Sequence, residues 1–363
     1  MEQDNGVTLR ARGSRDEAIV DAARDDQRGR RFLPRLTAAS SDYAYAIVAG
    51  GAGDPVGGID LDHLLPGRGT AEARFWVGPR DRRRGIATAA LRTLSERVFT
   101  GAPGTPRLQR LELLIHRDNP VAQRVALAAG FTREGDRRGA LPNLTGGFDD
   151  VLVYSRLAGD SGEPAERLLP DLPGGELTDG VVTLRPLGED DVPFYTELHN
   201  VPDVMASAVP PTPPHPAEVR RRCFWAASHW LAGSRADMIV ADAVTGAPLG
   251  EISLYYQEPP TGQAMIGYSM LPEHRGRGLM TRAAQLIGLW AFAETGIARL
   301  IAGTFPDNLG SQRVLEKAGF HQEALLRSRL PGAAGTRHDD LQYVLLAEDL
   351  LAQASGGELT QPG

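Results

Sequence analysis

Sulfur and aromatic chemistry are scarce in this chain of 363 residues, which holds one cysteine, Cys223, and aromatic residues at 6%. A single thiol closes no disulfide within the chain and builds no cysteine zinc site, so Cys223 reads as a packed side chain. The eight histidines show no HExxH spacing, and no metal is expected. No apolar run approaches the roughly 18 residues that a membrane span needs. The opening MEQDNGVTLRARG lacks the apolar stretch of a secretory signal, so a cytoplasmic protein without a membrane partner is expected. Excess positive charge is missing too: the formal net charge is -7. That balance excludes the broad basic footprint of a general nucleic-acid binder, and local arginine clusters must serve local purposes.

What the chain has in quantity is glycine, 42 residues, and proline, 26 residues, on an otherwise globular composition of 42% hydrophobic and 23% charged residues. It also has a repeat. Asn308 to Phe320 (NLGSQRVLEKAGF) answers Asn119 to Phe131 (NPVAQRVALAAGF). The first strands Val7-Thr8-Leu9-Arg10 and Val182-Thr183-Leu184-Arg185 match, as do Pro55 to Leu61 and Pro248 to Leu254, and Asp149-Asp150 aligns with Asp339-Asp340. A repeat of this length means two copies of one domain. The expected boundaries are 1–159 for the first copy, which looks degenerate, 160–180 for a Gly-, Pro- and acid-rich linker, and 181–363 for the second.

Each copy reads as strand, helical region, several strands, an Arg/Gly turn, helix, strand, helix and strand, an α/β (α+β) layered fold. The periodicity predicts helices over about 217–232, 281–294 and 311–318, the last stopped by Gly319. The second copy carries an insertion at the Pro-rich stretch 208–216, which cannot be helical.

Arg275-Gly276-Arg277-Gly278-Leu279-Met280-Thr281 follows a strand and opens a helix, and Arg82-Arg83-Arg84-Gly85-Ile86-Ala87-Thr88 does the same in the first copy. Unpaired backbone NH groups at such a helix start bind phosphate oxygens, and glycines let the anion approach. Together with the Asn to Gly-Phe segment, Ile266-Gly267-Tyr268, Arg327, and Asp340 before Tyr343, these motifs make the chain resemble the GNAT superfamily of N-acetyltransferases. The second copy resembles its RimJ/RimL-like branch, which acetylates ribosomal-protein N-termini. The first copy fits the family's acyl-CoA signature from Arg82 to Ala87, while the second departs from it at Met280.

The resemblance implies two tandem acyl-CoA acyltransferase folds, each a mixed, mostly antiparallel sheet with a splayed parallel pair, and direct attack of an amine on the thioester of acetyl-CoA or another acyl-CoA. In the second copy it implies Met270, Leu271, Arg275 to Thr281 and Asn308 as cofactor contacts. In the first it implies Val77, Arg82 to Thr88 and Asn119. Glu251 is expected as general base and Ser311 as a hydrogen-bond partner of the CoA thiol, unless it is a helix N-cap. Tyr343 is expected to supply a phenol, with Tyr255, Tyr256 and Tyr154 as alternatives. Trp225, His229, Tyr255 and Tyr268 are expected at the acceptor. In the first copy Gly58 replaces Glu251 and Ala122 replaces Ser311, while Asp60, Asp62 and His63 offer acids on what reads as a solvated strand edge.

Catalysis by the second copy is the expectation, with an amine-bearing small molecule or peptide as partner. Two alternatives stay open: an acyltransferase of natural-product or antibiotic chemistry with a longer acyl donor, and a non-catalytic acyl-CoA sensor or scaffold. Duplication also allows a pseudo-dimer within one chain.

Overall fold

The structure, a computed structural model, describes residues 6–13, 16–26, 31–32, 43–50, 53–143, 146–209, 211–332 and 335–350. The chain divides into two compact units, Met1–Glu166 and Arg167–Gly363.

The first unit runs β1 (Val7–Ala11), α1 (Glu17–Asp25), β2 (Tyr43–Ala49), β3 (Pro55–Leu65), β4 (Thr70–Val77), α2 (Ile86–Thr100), β5 (Arg110–His116), α3 (Pro120–Ala128), β6 (Thr132–Pro142) and β7 (Phe148–Leu157). Its seven strands lie in the order β1-β2-β3-β4-β5-β7-β6. The second unit runs β8 (Leu177–Thr178), β9 (Val182–Pro186), α4 (Val192–His199), α5 (Pro202–Ala206), α6 (Pro216–Leu231), β10 (Arg235–Asp242), β11 (Pro248–Glu258), β12 (Gln263–Met270), α7 (Leu279–Glu294), β13 (Arg299–Thr304), α8 (Leu309–Lys317), β14 (His321–Pro331) and β15 (Arg337–Leu346). Its sheet order is β14-β15-β13-β12-β11-β10-β9-β8. Each sheet is antiparallel except for one central pair, β4 with β5 and β12 with β13.

Helices cover both faces of the second sheet. On one face α7 and α8 close a core of Leu184, Ile252, Leu254, Ile287, Trp290, Leu300, Leu315 and Phe320. On the other, α4, α5 and α6 lay Phe194, Tyr195, Leu198, Val204, Val219 and Cys223 against Ile239, Ala241 and Leu271. Cys223 is buried, and burial pushes its thiol up to about 12, as befits a packing residue.

The predicted helices appear one or two residues earlier than their periodicity suggested, because Pro216 and Leu279 already lie in the first turn. The segment read as a linker divides. Leu169 and Leu172 are buried in the core of the second unit, Trp230 Nε1 donates to the Pro170 carbonyl at 2.9 Å, and β8 extends the sheet. Composition alone hid these two leucines among glycines and prolines. The closing acid pairs also align one residue differently. Asp150 accepts from the Gly139 NH at 2.8 Å and Asp339 from the Ser328 NH at 2.7 Å, so Asp150 matches Asp339. The stretch of the first unit opposite the insertion, 27–42, lies mostly outside the described residues.

Candidate functional site

The parallel pair holds only at its start. In the second unit Gln263, Ala264 and Met265 pair with Arg299, Leu300 and Ile301, and the rest of β12 to Met270 runs free of β13. In the first unit Thr70, Ala71 and Glu72 pair with Arg110, Leu111 and Glu112, and β4 then separates likewise. A strand leaving its neighbour exposes backbone amides without a ladder partner. On its other edge β12 is held close by β11. A Cβ on Gly250 would sit 2.4 Å from the Ser269 carbonyl oxygen, so only glycine fits there, and Gly57 meets the Trp76 carbonyl at 2.2 Å in the first unit.

Beyond the opening, Gly276 (φ 73°) and Gly278 (φ 76°) adopt left-handed conformations, and α7 begins at Leu279. A Cβ at either glycine would project into open space. The first NH groups of α7 thus face an empty concavity at the positive end of a 16-residue helix, a cradle that fits a diphosphate. The first unit builds the same turn from Arg83 (φ 60°) and Gly85 (φ 72°) ahead of α2.

In the second unit the cradle opens into a cleft of about 1090 Å³. Predicted residues Tyr268, Met270, Arg275, Gly276, Gly278, Leu279, Met280, Thr281, Asn308 and Ser311 line it. Ser311 Oγ lies 2.8 Å from Tyr268 Oη, joining β12 to α8. Ser311 is not the helix cap: Asn308 caps α8, its Oδ1 accepting from the Ser311 NH at 3.1 Å, and Asn119 does the same for the Ala122 NH at 3.3 Å. The serine hydroxyl is thereby left for the tyrosine. Burial pushes the Tyr268 phenol well up, against the opposing hydrogen bond from Ser311, so it stays a protonated donor.

Other expected residues lie elsewhere. The phenol predicted at Tyr343 is 1% exposed within the core and reaches Glu316 at 3.5 Å, because β15 turns that side chain under α8. Glu251 sits beneath α4, where His199 Nε2 approaches its Oε1 at 2.9 Å. Burial drives this carboxyl up, but the hydrogen bond and charge of His199, with Arg222 and Tyr195 behind, outweigh it and hold the acid below the ordinary carboxylate range. Glu251 does not line the cleft, though its cross-strand partner Ser269 does. Tyr255 accepts from Arg222 at 2.9 Å in a buried network with Asp237 and Ser253. Trp225 lies against Arg221 on α6, and neither it nor His229 lines the cleft. Leu271 is buried with the α4–α6 core.

The leading arginine of each turn is also tied to protein groups. Arg275 Nε donates to the Met270 carbonyl at 2.9 Å and its terminal nitrogen pairs with Asp203. Arg82 Nε donates to the Val77 carbonyl at 3.0 Å and pairs with Asp26 at 2.7 Å. Both are committed to protein groups. Arg277 is exposed at the turn, and Arg313 and Lys317, one helical turn apart on α8, line the cleft as additional cations. Their i, i+4 spacing was visible in the sequence and unused.

In the first unit Phe75 pairs with Ile59 as Tyr268 does with Ile252, and Ala122 follows Asn119 as Ser311 follows Asn308, so both hydroxyls are missing. Trp76 stands where the second unit has Ser269, buried with Ala23 and Ala46. Asp60 and Asp62 are buried in ion pairs with Arg12 and Arg74, not at a solvated edge, and His63 reaches Glu72 at 3.3 Å. Tyr154, pushed up to about 12 by burial, donates to Gln123. Among the described residues no helix is long and apolar enough to cross a membrane, and no group of three or more His, Cys, Asp or Glu could hold a metal.

A sequence model of the acetyltransferase (GNAT) domain matches residues 8–132 and again 182–321. The "Probable N-acetyltransferase YjcK" of Bacillus subtilis is 49% identical over 67 residues, 18% of this chain and 37% of that protein. The ribosomal-protein-serine acetyltransferase of Escherichia coli is 30% identical over 102 residues, 28% of this chain and 54% of that protein. The chain therefore spans about half or less of the length of these curated relatives. Among solved structures, RimL, the ribosomal L7/L12 alpha-N-protein acetyltransferase in complex with coenzyme A, aligns with a TM-score of 0.43 at 20% identity, covering 48% of this chain and 96% of that one. With the domain matched twice across more than half of its length, the chain belongs to the GNAT acetyltransferase family.

Proposed function

We propose that the second unit transfers an acetyl group from acetyl-CoA to a primary amine, at a peptide or protein N-terminus or on a small molecule, and that the first unit is a supporting copy. The observation that carries this reading is the Ser311–Tyr268 hydroxyl pair facing the cleft beside the anion cradle, present in one unit and replaced by Ala122 and Phe75 in the other. The name of the Escherichia coli relative, a ribosomal-protein-serine acetyltransferase, favours a protein acceptor.

The chemistry sets three demands. The donor's diphosphate needs the cradle at Gly276 to Thr281, and its pantetheine arm needs the free amides of β12 after Met265. The leaving thiolate, whose thiol has an ordinary pKa of about 8.5, gains from a hydrogen bond, which the pair supplies: Tyr268, kept protonated, donates through or beside Ser311. The amine must lose a proton before it attacks, since its pKa is about 8 for an α-amino group and about 10.4 for a lysine-like amine. That proton is assigned to Glu251 through a relaying water, because the carboxylate lies one cross-strand step from Ser269 and outside the cleft lining. The attacking nitrogen then bonds the acetyl carbon directly, the carbon–sulfur bond breaks and the nitrogen's surplus proton passes to the departing thiolate, which leaves as free thiol, with no acyl-enzyme, consistent with a single buried cysteine.

The test is release of free thiol from acetyl-CoA against a panel of peptides and small amines. Turnover in the wild type that disappears in Gly278→Glu supports the reading. Turnover that survives Gly278→Glu but not Gly85→Glu moves catalysis to the first unit.

A further inference from the structure

The leading arginine of a turn that reads as a phosphate site is bound in both units to a carbonyl of the splayed strand and to a carboxylate on the helical side of the sheet. The acids come from different places. Asp26 is the C-cap residue of α1, whereas Asp203 lies in α5, a short helix that follows α4, and it is α4 that has α1's place in the second unit. The contact is the same while its acid has changed element. Its guanidinium lowers the Asp203 carboxyl below the ordinary range, so the pair is ionised on both sides at neutral pH.

In the second unit both members of this pair line the cleft. Arg275 belongs to the wall that forms the anion cradle. Asp203 lies on α5, whose Val204, Met205 and Ala206 also line the cleft, as do Pro211 and Pro213. α5 is a single short helix of five residues, closed by the Met205 NH on the Val201 carbonyl and the Ser207 NH on the Asp203 and Val204 carbonyls, with Val204 buried in the α4–α6 core. The Arg275–Asp203 ion pair links this stretch directly to the cradle turn.

We propose that Arg275 and Asp203 form a latch through which occupancy of the donor cradle sets the acceptor wall. It rests on the reading of the second unit as the transferring one. Arg275 holds three things at once: the end of β12, the turn that receives the diphosphate, and α5. Ordering the turn with a bound anion immobilises the guanidinium and, through Asp203, the wall against which the amine must lie. Both residues are positioning residues, and the amine is bound well only once the donor is in place.

Hydrogen exchange on the full chain with and without acetyl-CoA tests the latch without needing the natural acceptor. Acetyl-CoA is expected to protect the amides of 278–281 and also those of 203–207. In Asp203→Asn the first protection persists and the second is lost, and Asp203→Glu restores it. With an amine that turns over, Asp203→Asn raises the acceptor KM about tenfold, a usual size for coupling between two sites, and leaves kcat and acetyl-CoA affinity within about twofold. Protection of 278–281 without protection of 203–207 in the wild type overturns the latch while leaving the donor site standing. Absence of protection at 278–281 overturns the donor reading, and the latch with it. A loss of acetyl-CoA affinity in Asp203→Asn equal to the loss in acceptor KM also overturns it, because the pair would then only shape the donor site.

Discussion

The two units share a splayed strand pair, a left-handed turn, an asparagine-capped helix and a committed arginine, and they differ in a handful of side chains around the opening. Tyr268, Ser269 and Ser311 in one are Phe75, Trp76 and Ala122 in the other. Architecture that binds is built from backbone, through φ angles, caps and free amides, so it persists when side chains drift. Chemistry that reacts depends on single hydroxyls and is lost by one substitution. A duplicated fold therefore keeps the look of a site longer than its action.

The comparison is broken most forcefully at the cradles. Gly278→Glu puts a side chain and a negative charge at a left-handed position facing the donor, and turnover is expected to fall at least about a hundredfold, as when a preorganised anion contact is removed. Gly85→Glu is expected to leave turnover within about twofold. Steady-state assays of the two variants side by side decide it, and equal losses would end the distinction between the units.

The hydroxyl pair comes next. Ser311→Ala and Tyr268→Phe are each expected to lower kcat about 10- to 100-fold, and the double variant little further, because the two groups act as one unit. Independent, multiplying losses would show that they do not cooperate. The reciprocal Phe75→Tyr with Ala122→Ser, made in a Gly278→Glu background, is expected to give no activity, since Trp76 still fills the position of Ser269.

Glu251 sharpens the comparison through pH. Its folded-state pKa lies below the ordinary carboxylate value, so its ionised form stabilises the fold above the unfolded pKa of about 4.5, and that contribution is lost as pH falls through the lower folded value. Urea melts between pH 7 and pH 3 are expected to show a steeper acid loss in the wild type than in Glu251→Gln. That variant is less stable at pH 7 by about 2 kcal/mol, the cost of disturbing a buried charged hydrogen bond. The smallest effect is expected at Tyr343→Phe, which loses one 3.5 Å contact: under about 1 kcal/mol in stability, with turnover unchanged. A large drop in kcat there would return the phenol role to Tyr343.

Duplication, layer order and the anion turns were legible in the sequence because each leaves a local trace: a repeat, a periodicity, a glycine before a helix. Long-range placement was not. Tyr343 and Tyr268 look alike as tyrosines on strands, and only the pairing of β13 with β15 shows that one points under α8. The ion pair of Arg275 was hidden because its acid, Asp203, is 72 residues away, whereas its carbonyl partner is only five residues away. Glu251 stood out in the sequence as a candidate acid, yet its partner His199 comes from a helix whose docking no spacing foretells. The Asn308 cap could have been read directly, since asparagine three residues before Ser311 is a strong start signal.

Leu169 and Leu172 settle where the chain can be cut. A protease nicking near residue 166 would release a second unit with its full complement of buried side chains. A cut near residue 180, where composition points, would strip both leucines and the carbonyl that receives Trp230, leaving a void under α6 at about 2–5 kcal/mol for each leucine removed. The stretch that looks most like a tether is the second unit's own N-terminal strap.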